Sequence, residues 1–214
     1  MVALAGALVI NIGTLSSAWI DAMLAAGQTA HEGGIPIVLD PVGAGATPLR
    51  TDTARKLLGE VHPTIIRGNA SEILALAKAG GATRGVDSTQ AVTDAHATAM
   101  ELAEGCGAVV AVTGPEDFVT DGTRQIGVAN GHALMGRVTG TGCVASALAG
   151  AFAALEKDAV VATAGALAAY GLAGELAAEG DPRPGTFRTR LIDALDEISP
   201  ELVASRSRIS VKER

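Results

Sequence analysis

Short apolar runs alternate with longer stretches of helical spacing along this chain. ALVINI (7–12), followed by Gly-Thr, predicts a buried strand, and Trp19, Ile20, Met23 and Leu24 recur at helical intervals within 16–32. IPIVLD (35–40), closed by Asp-Pro, predicts a second strand, and 49–60 a helix. PTIIRGN (63–69) predicts a third strand, followed by helices over 70–79 and 88–104. GAVVAVTG (107–114) reads as a fourth buried strand. DFVTDGTRQIGVAN (117–130) differs: two short runs flank Asp-Gly, a strong hairpin signal. Helices are expected over 142–155, 158–178 and 186–197.

Strands alternating with helices imply an α/β fold, a mostly parallel sheet with helices on both faces and a short hairpin near 117–130. No repeat or long linker interrupts the order, so one domain is expected over 1–200, with a C-terminal tail over 201–214. Ligands in such sheets bind beyond the carboxyl ends of the strands. Here those ends read Asn11-Ile12-Gly13-Thr14, Asp40-Pro41-Val42-Gly43, Arg67-Gly68-Asn69 and Thr113-Gly114, all polar or glycine-bearing.

Composition narrows the function. Aromatics make up 2% of the chain and the net charge is −7, which argues against nucleic-acid binding, where a basic face and stacking rings are needed. The tail SRSRISVKER is basic and reads as a frayed end. Cys106 and Cys143 make no disulfide framework and are read as reduced thiols of a cytoplasmic protein. No cluster of Cys and His has metal-ligand spacing, and His31, His62, His96 and His132 read as surface or loop residues. The apolar start MVALAGALVINIG lacks the charged region of a signal peptide. The Ala-rich region 145–178 is broken by Glu156, Lys157 and Asp158, so two buried helices explain it better than a membrane span.

Three segments carry candidate chemistry. VTGTGCVASALAG (138–150) places glycines at a helix start, where outward amides favour an anion and glycines let a phosphate approach. The same residues also describe a plain tight turn with Thr141 or Thr139 as cap. They form neither a P-loop nor a dinucleotide fingerprint. Cys143 reads either as a small buried hydrophobe or as a thiol able to take a proton from an alcohol. In RGNASEIL (67–74), Asn69 and Glu72 have capping-box spacing. Alternatively they lie near a Mg²⁺ shell, with Arg67 aimed at phosphate and Asp40 as second carboxylate. Asp40 also fits ordinary Asp-Pro turn chemistry. In VTGPEDF (112–118), Thr113-Gly114 is a nucleotide-phosphate contact or a simple strand exit.

Taken in order, LDPVGAGA, RGNASEI, VAVTG and VTGTGCVASALAGAF resemble the hydroxyethylthiazole kinase family of the ribokinase-like superfamily, over about residues 1–195. Asn69-x-x-Glu72 looks like the superfamily's magnesium and phosphate motif. Gly140-Thr141-Gly142-Cys143 looks like its Gly-x-Gly-Asp anion hole, with Cys in place of the usual catalytic Asp, as in thiazole kinases. The resemblance implies transfer of the γ-phosphate of ATP to the primary alcohol of 4-methyl-5-(2-hydroxyethyl)thiazole, a thiamine precursor. It implies ATP binding by Arg67 and Thr113, a thiazole contact at the Gly140 backbone, and Mg²⁺ held by Asp40 and Glu72 through water, with Asn69 in the shell. It further implies a homotrimer with thiazole sites between subunits.

Family members begin with several dozen further residues, including a methionine that contacts the thiazole. Against that pattern this chain starts late, which leaves two readings open: a start codon assigned downstream, or a shortened, inactive relic whose stability suffers from missing core. The rival functions are a pyrimidine or pyridoxal-type kinase, a nucleotide-dependent dehydratase and a non-catalytic oligomer component. The two enzyme rivals are expected to carry Asp where this chain has Cys143.

Overall fold

The computed structural model describes residues 1–77 and 88–212. Four parallel strands come first: β1 (Leu8–Asn11), β2 (Ile37–Asp40), β3 (Ile65–Asn69) and β4 (Val109–Thr113). β5 (Asp117–Thr120) and β6 (Gln125–Val128) form the expected hairpin, antiparallel to β4. A last strand, β7 (Ile209–Lys212), pairs antiparallel with β6, and spatial order follows chain order across all seven.

That order dictates where the helices go. Right-handed crossovers that always step the same way place their helices on one face. These are α1 (Ser17–Glu32), α2 (Pro48–Val61), α3 (Ala70–Ala77) and α4 (Ser88–Cys106). The other face is covered by α5 (Thr141–Ala153), α6 (Ala159–Ala177) and α7 (Pro184–Asp196). Strand residues alternate between two cores. Ile37, Leu39, Ile66, Val110 and Val112 pack with α1–α4, whereas Val38, Ile65, Val109 and Ala111 pack with α5–α7.

Several expectations need correction. Residues 201–212 are not a frayed tail. Pro200–Arg206 forms α8, capped by Ser199, and β7 completes the sheet. Arg208 holds this segment down by pairing with Glu175 of α6 at 2.6 Å, and its backbone amide donates to Asn130 Oδ1. The partner strand lies far away in sequence, so local pattern does not reveal the pairing. Trp19 shares the periodicity of α1 yet is 60% exposed, while Leu24 is buried. Positions 78 and 79 of the third expected helix lie outside the described residues. His96 stacks on Phe118 at 4.1 Å between ring centres, and His132 Nδ1 accepts from the Leu134 amide. Neither is an idle surface group. Among the described residues one helix, α6, is long and apolar enough to cross a membrane. Here it is the central, largely buried helix of the second core.

Candidate active site

The carboxyl ends of β1 to β4 converge on the head of α5. Asp40 ends β2 and is fully buried. Its Oδ2 accepts from Asn11 Nδ2 at 2.8 Å and from Ser146 Oγ at 2.9 Å. Its Oδ1 lies 3.8 Å from Arg67 Nη1 and has no hydrogen-bond partner among the described residues. Burial pushes the Asp40 carboxyl above the usual carboxylate range, opposed by the Arg67 charge.

Arg67, in β3, is 9% exposed and donates from Nη2 to Thr113 Oγ1 at 2.6 Å. Thr113 faces it because β3 and β4 run in parallel register, Asn69 opposite Thr113. The guanidinium also lies against Gly142: a Cβ there would come within 2.8 Å of Arg67 Nη1. Gly142 is thus required for Arg67 to sit at the helix start. Gly140 precedes α5 with φ +94°, a left-handed conformation that favours glycine. The cap expected from a threonine is missing: α5 has no side-chain cap, and Thr141 Oγ donates back to Met135 O at 2.9 Å. A buried cation beside an uncapped helix N-terminus makes this corner positive. Cys143, in the first turn, is exposed, and its Sγ accepts from Asn11 Nδ2 at 3.3 Å. Asn11 therefore bridges Asp40 and Cys143.

Asn69 and Glu72 behave differently. Asn69 Oδ1 accepts from the Glu72 amide at 2.9 Å, and Glu72 Oε2 accepts from the Asn69 amide at 2.8 Å, a reciprocal capping box. Glu72 Oε1 accepts from the Gly43 amide at 2.8 Å and so ties down the loop after β2. Both carboxylate oxygens are engaged, whereas Asp40 Oδ1 is buried and unpaired among the described residues. Among the described residues no group of three or more His, Cys, Asp or Glu is arranged to hold a metal ion.

A cleft of about 590 Å³ opens beside this corner, lined among others by Arg67, Thr113, Asp117, Thr141, Gly142 and Tyr170. Asp40, Asn69, Glu72, Gly140 and Cys143 do not line it. Arg67 and Gly142 belong to both parts, since they border the cleft and touch or adjoin the Asp40–Asn11–Cys143 group. Asp117 accepts from the Gly114 amide at 2.9 Å, and burial pushes its carboxyl up to about 6.

Ser146 and Tyr170 escape sequence reasoning, whereas Asn11 and Asp117 fall within strand-exit segments noted there but receive no role of their own. Asn11 stands at a strand end, and Ser146 lies one turn beyond Cys143 on the same helix face. Tyr170 is the sole tyrosine of the chain, set in an apolar helix where its hydroxyl needs a partner.

The fold is the ribokinase-like one, shared with solved kinases. Pyridoxal kinase from Staphylococcus aureus, solved with AMP-PCP, shares the fold with TM-score 0.53 and 19% identity, over 75% of this chain and 59% of that one. The family model "Hydroxyethylthiazole kinase family" matches residues 1–201. Hydroxyethylthiazole kinase of Desulforudis audaxviator is 54% identical over 209 residues, 98% of this chain and 77% of that protein. The solved hydroxyethylthiazole kinase of Pyrococcus horikoshii OT3 superposes with TM-score 0.89 at 41% identity, covering 100% of this chain and 80% of that one. The chain belongs to the hydroxyethylthiazole kinase family.

Proposed function

We propose that the chain transfers the γ-phosphate of ATP to the primary alcohol of 4-methyl-5-(2-hydroxyethyl)thiazole. Family membership and about half-identical relatives across nearly the whole chain support the activity and disfavour the pyridoxal, pyrimidine and dehydratase readings. The observation that carries the site is a convergence. The buried side-chain atoms without a hydrogen-bond partner among the described residues are Asp40 Oδ1, Arg67 Nε and Tyr170 Oη, and all three residues lie around the head of α5. Buried polar atoms are normally paired, so such a cluster points to a bound polar ligand.

In this reading Arg67 and Thr113 hold the nucleotide phosphates. The amides of the Gly140–Cys143 turn receive charge that builds on the transferred phosphoryl group. The alcohol oxygen bonds to the γ-phosphorus as the bond to the β–γ bridging oxygen breaks. Its proton passes to the thiolate form of Cys143 Sγ, which becomes the thiol; the Asn11 amide donates to that sulfur and orients it. Gly140 offers its backbone to the thiazole. Asp40 Oδ1, unpaired among the described residues, would help hold a magnesium ion. Glu72 and Asn69, engaged by backbone amides, would contribute to its shell through water. When bound, that ion neutralises phosphate charge. Family resemblance supports a homotrimer, and two free thiols fit a cytoplasmic setting.

Purified protein with ATP, Mg²⁺ and the thiazole alcohol should release ADP and phosphorylated thiazole in equal amounts. Nucleotide binding without turnover of this alcohol, or faster turnover of pyridoxal, would overturn the substrate assignment. Light scattering on the eluted peak tests the trimer.

A further inference from the structure

We infer that the Tyr170 hydroxyl is a hydrogen-bond donor to the phosphate chain of the bound nucleotide, a positioning contact on the wall of the cleft beside Arg67. The inference rests on the kinase reading above and adds a residue to it.

Tyr170 sits within α6, 3% exposed, and its ring borders the cleft together with Arg67, Gly142 and Ala145. Its hydroxyl has no hydrogen-bond partner among the described residues. Of the other polar side chains on the cleft wall, Asp117 accepts from the Gly114 amide, and Asn130, His132, Thr141 and Thr113 are committed elsewhere. Asn130 donates to Glu175 Oε1 and Arg206 O and accepts from the Arg208 amide. His132 Nδ1 accepts from the Leu134 amide, and Thr141 donates to Met135 O. Thr113 Oγ1 accepts from Arg67.

The protein thus buries a phenol and supplies no acceptor among the described residues, although an unmet buried hydroxyl is costly. Tyr170 shares this wall of the cleft with Arg67 and with Thr141 and Gly142, the first residues of α5. A donor next to a guanidinium and uncapped helix amides matches an anion, not an adenine ring or a neutral alcohol. Burial also pushes the phenol up to about 12, so it keeps its proton and can donate throughout the physiological range.

The test is Tyr170→Phe, with ADP, ATP and adenosine as titrants and thermal unfolding without ligand. ADP and ATP should bind about tenfold more weakly, the loss of one hydrogen bond to a charged acceptor. Adenosine should bind within about twofold of wild type, and the ligand-free melting temperature should hold or rise, because only an unmet hydroxyl is removed. The inference falls if Tyr170→Phe binds ADP like wild type. It falls if adenosine loses as much as ADP, which would make the ring's shape responsible. It also falls if the ligand-free variant melts several degrees lower, which would reveal an internal partner. A wild-type protein that binds no nucleotide sinks the kinase reading and this contact together, whereas wild-type binding with an indifferent variant sinks only the contact.

Discussion

Two helices begin at neighbouring points of the same sheet edge, and their heads are built in opposite ways. The head of α3 is closed on itself: Asn69 and Glu72 satisfy each other's amides, and the second oxygen of Glu72 takes the Gly43 amide. The head of α5 has a left-handed glycine and no side-chain cap, and Arg67 is packed against it. A capping box supplies the helix's acceptors from the protein. A glycine head leaves them to be supplied from outside. The contrast assigns structural work chiefly to α3 and ligand binding to α5, and each side of it can be broken separately.

The largest effect is expected from Gly142→Val. A Cβ at Gly142 falls within 2.8 Å of Arg67 Nη1, so the guanidinium must move. Displacing a positioning group by about 1 Å costs on the order of a hundredfold in rate. Nucleotide affinity and kcat should fall together by about that factor or more, with the circular-dichroism spectrum unchanged. A Gly142→Val protein with wild-type ADP affinity would show that Arg67 does not need its place at the helix start.

Cys143→Ser separates chemistry from binding at the same head. The serine hydroxyl can still accept from Asn11, and nothing in the Arg67 contact changes. We expect kcat to drop by about tenfold to a hundredfold, within the range for a general base, while the Kd for ADP stays within about twofold. Full turnover by this variant over about pH 6 to 9 would remove the base role from Cys143.

These two variants also mark how far the chain could be read without coordinates. The four apolar runs and their polar exits predict β1 to β4 because parallel strands buried on both faces must be apolar and must end where the chain turns. Asp40, Arg67, Asn69 and Thr113 stand at such exits, and Glu72 opens the helix that follows one; the 140–143 turn follows no such strand and is legible only from its glycines. What stayed hidden depends on contacts distant in sequence. Asn11 and Ser146 matter because both donate to one oxygen of Asp40. The alternation Ile209-Ser210-Val211-Lys212 is too short to predict a strand by itself, and β7 forms because β6 offers it an edge. The plain-turn alternative for the head of α5 takes Thr141 or Thr139 as its cap, yet α5 has no side-chain cap and the Thr141 hydroxyl turns back to Met135.

A moderate effect, in stability, is expected at Asp117 in the cleft. Burial raises its carboxyl from 3.8 to about 6, with the Gly114 amide and the Arg67 charge working against the rise. The folded state therefore prefers the protonated form. Its contribution is most favourable below the unfolded value and is lost as pH climbs through about 6. Asp117→Asn keeps an acceptor for Gly114 and carries no charge to desolvate. At pH 7 it should be about 1–2 kcal/mol more stable than wild type by urea denaturation, after allowance for the group's partial exposure. That advantage should vanish near pH 4, and a constant offset across the range would rule out titration of Asp117 as its source.

The smallest effect tests the closed head directly. Asn69→Ala removes the acceptor of the Glu72 amide and leaves Glu72 bound to the Asn69 and Gly43 amides. Loss of such a cap costs about 1 kcal/mol, a fall of about 2–4 °C in melting temperature for a chain of this size. If Asn69 serves only the helix, kcat at a temperature well below unfolding should change by less than about twofold. If it also belongs to the shell around the ion, kcat should fall tenfold or more, and the Mg²⁺ concentration for half-maximal rate should rise. The second outcome would show that a helix head closed in the free protein still takes part in binding, and would narrow the contrast with α5 to the residues that touch Arg67.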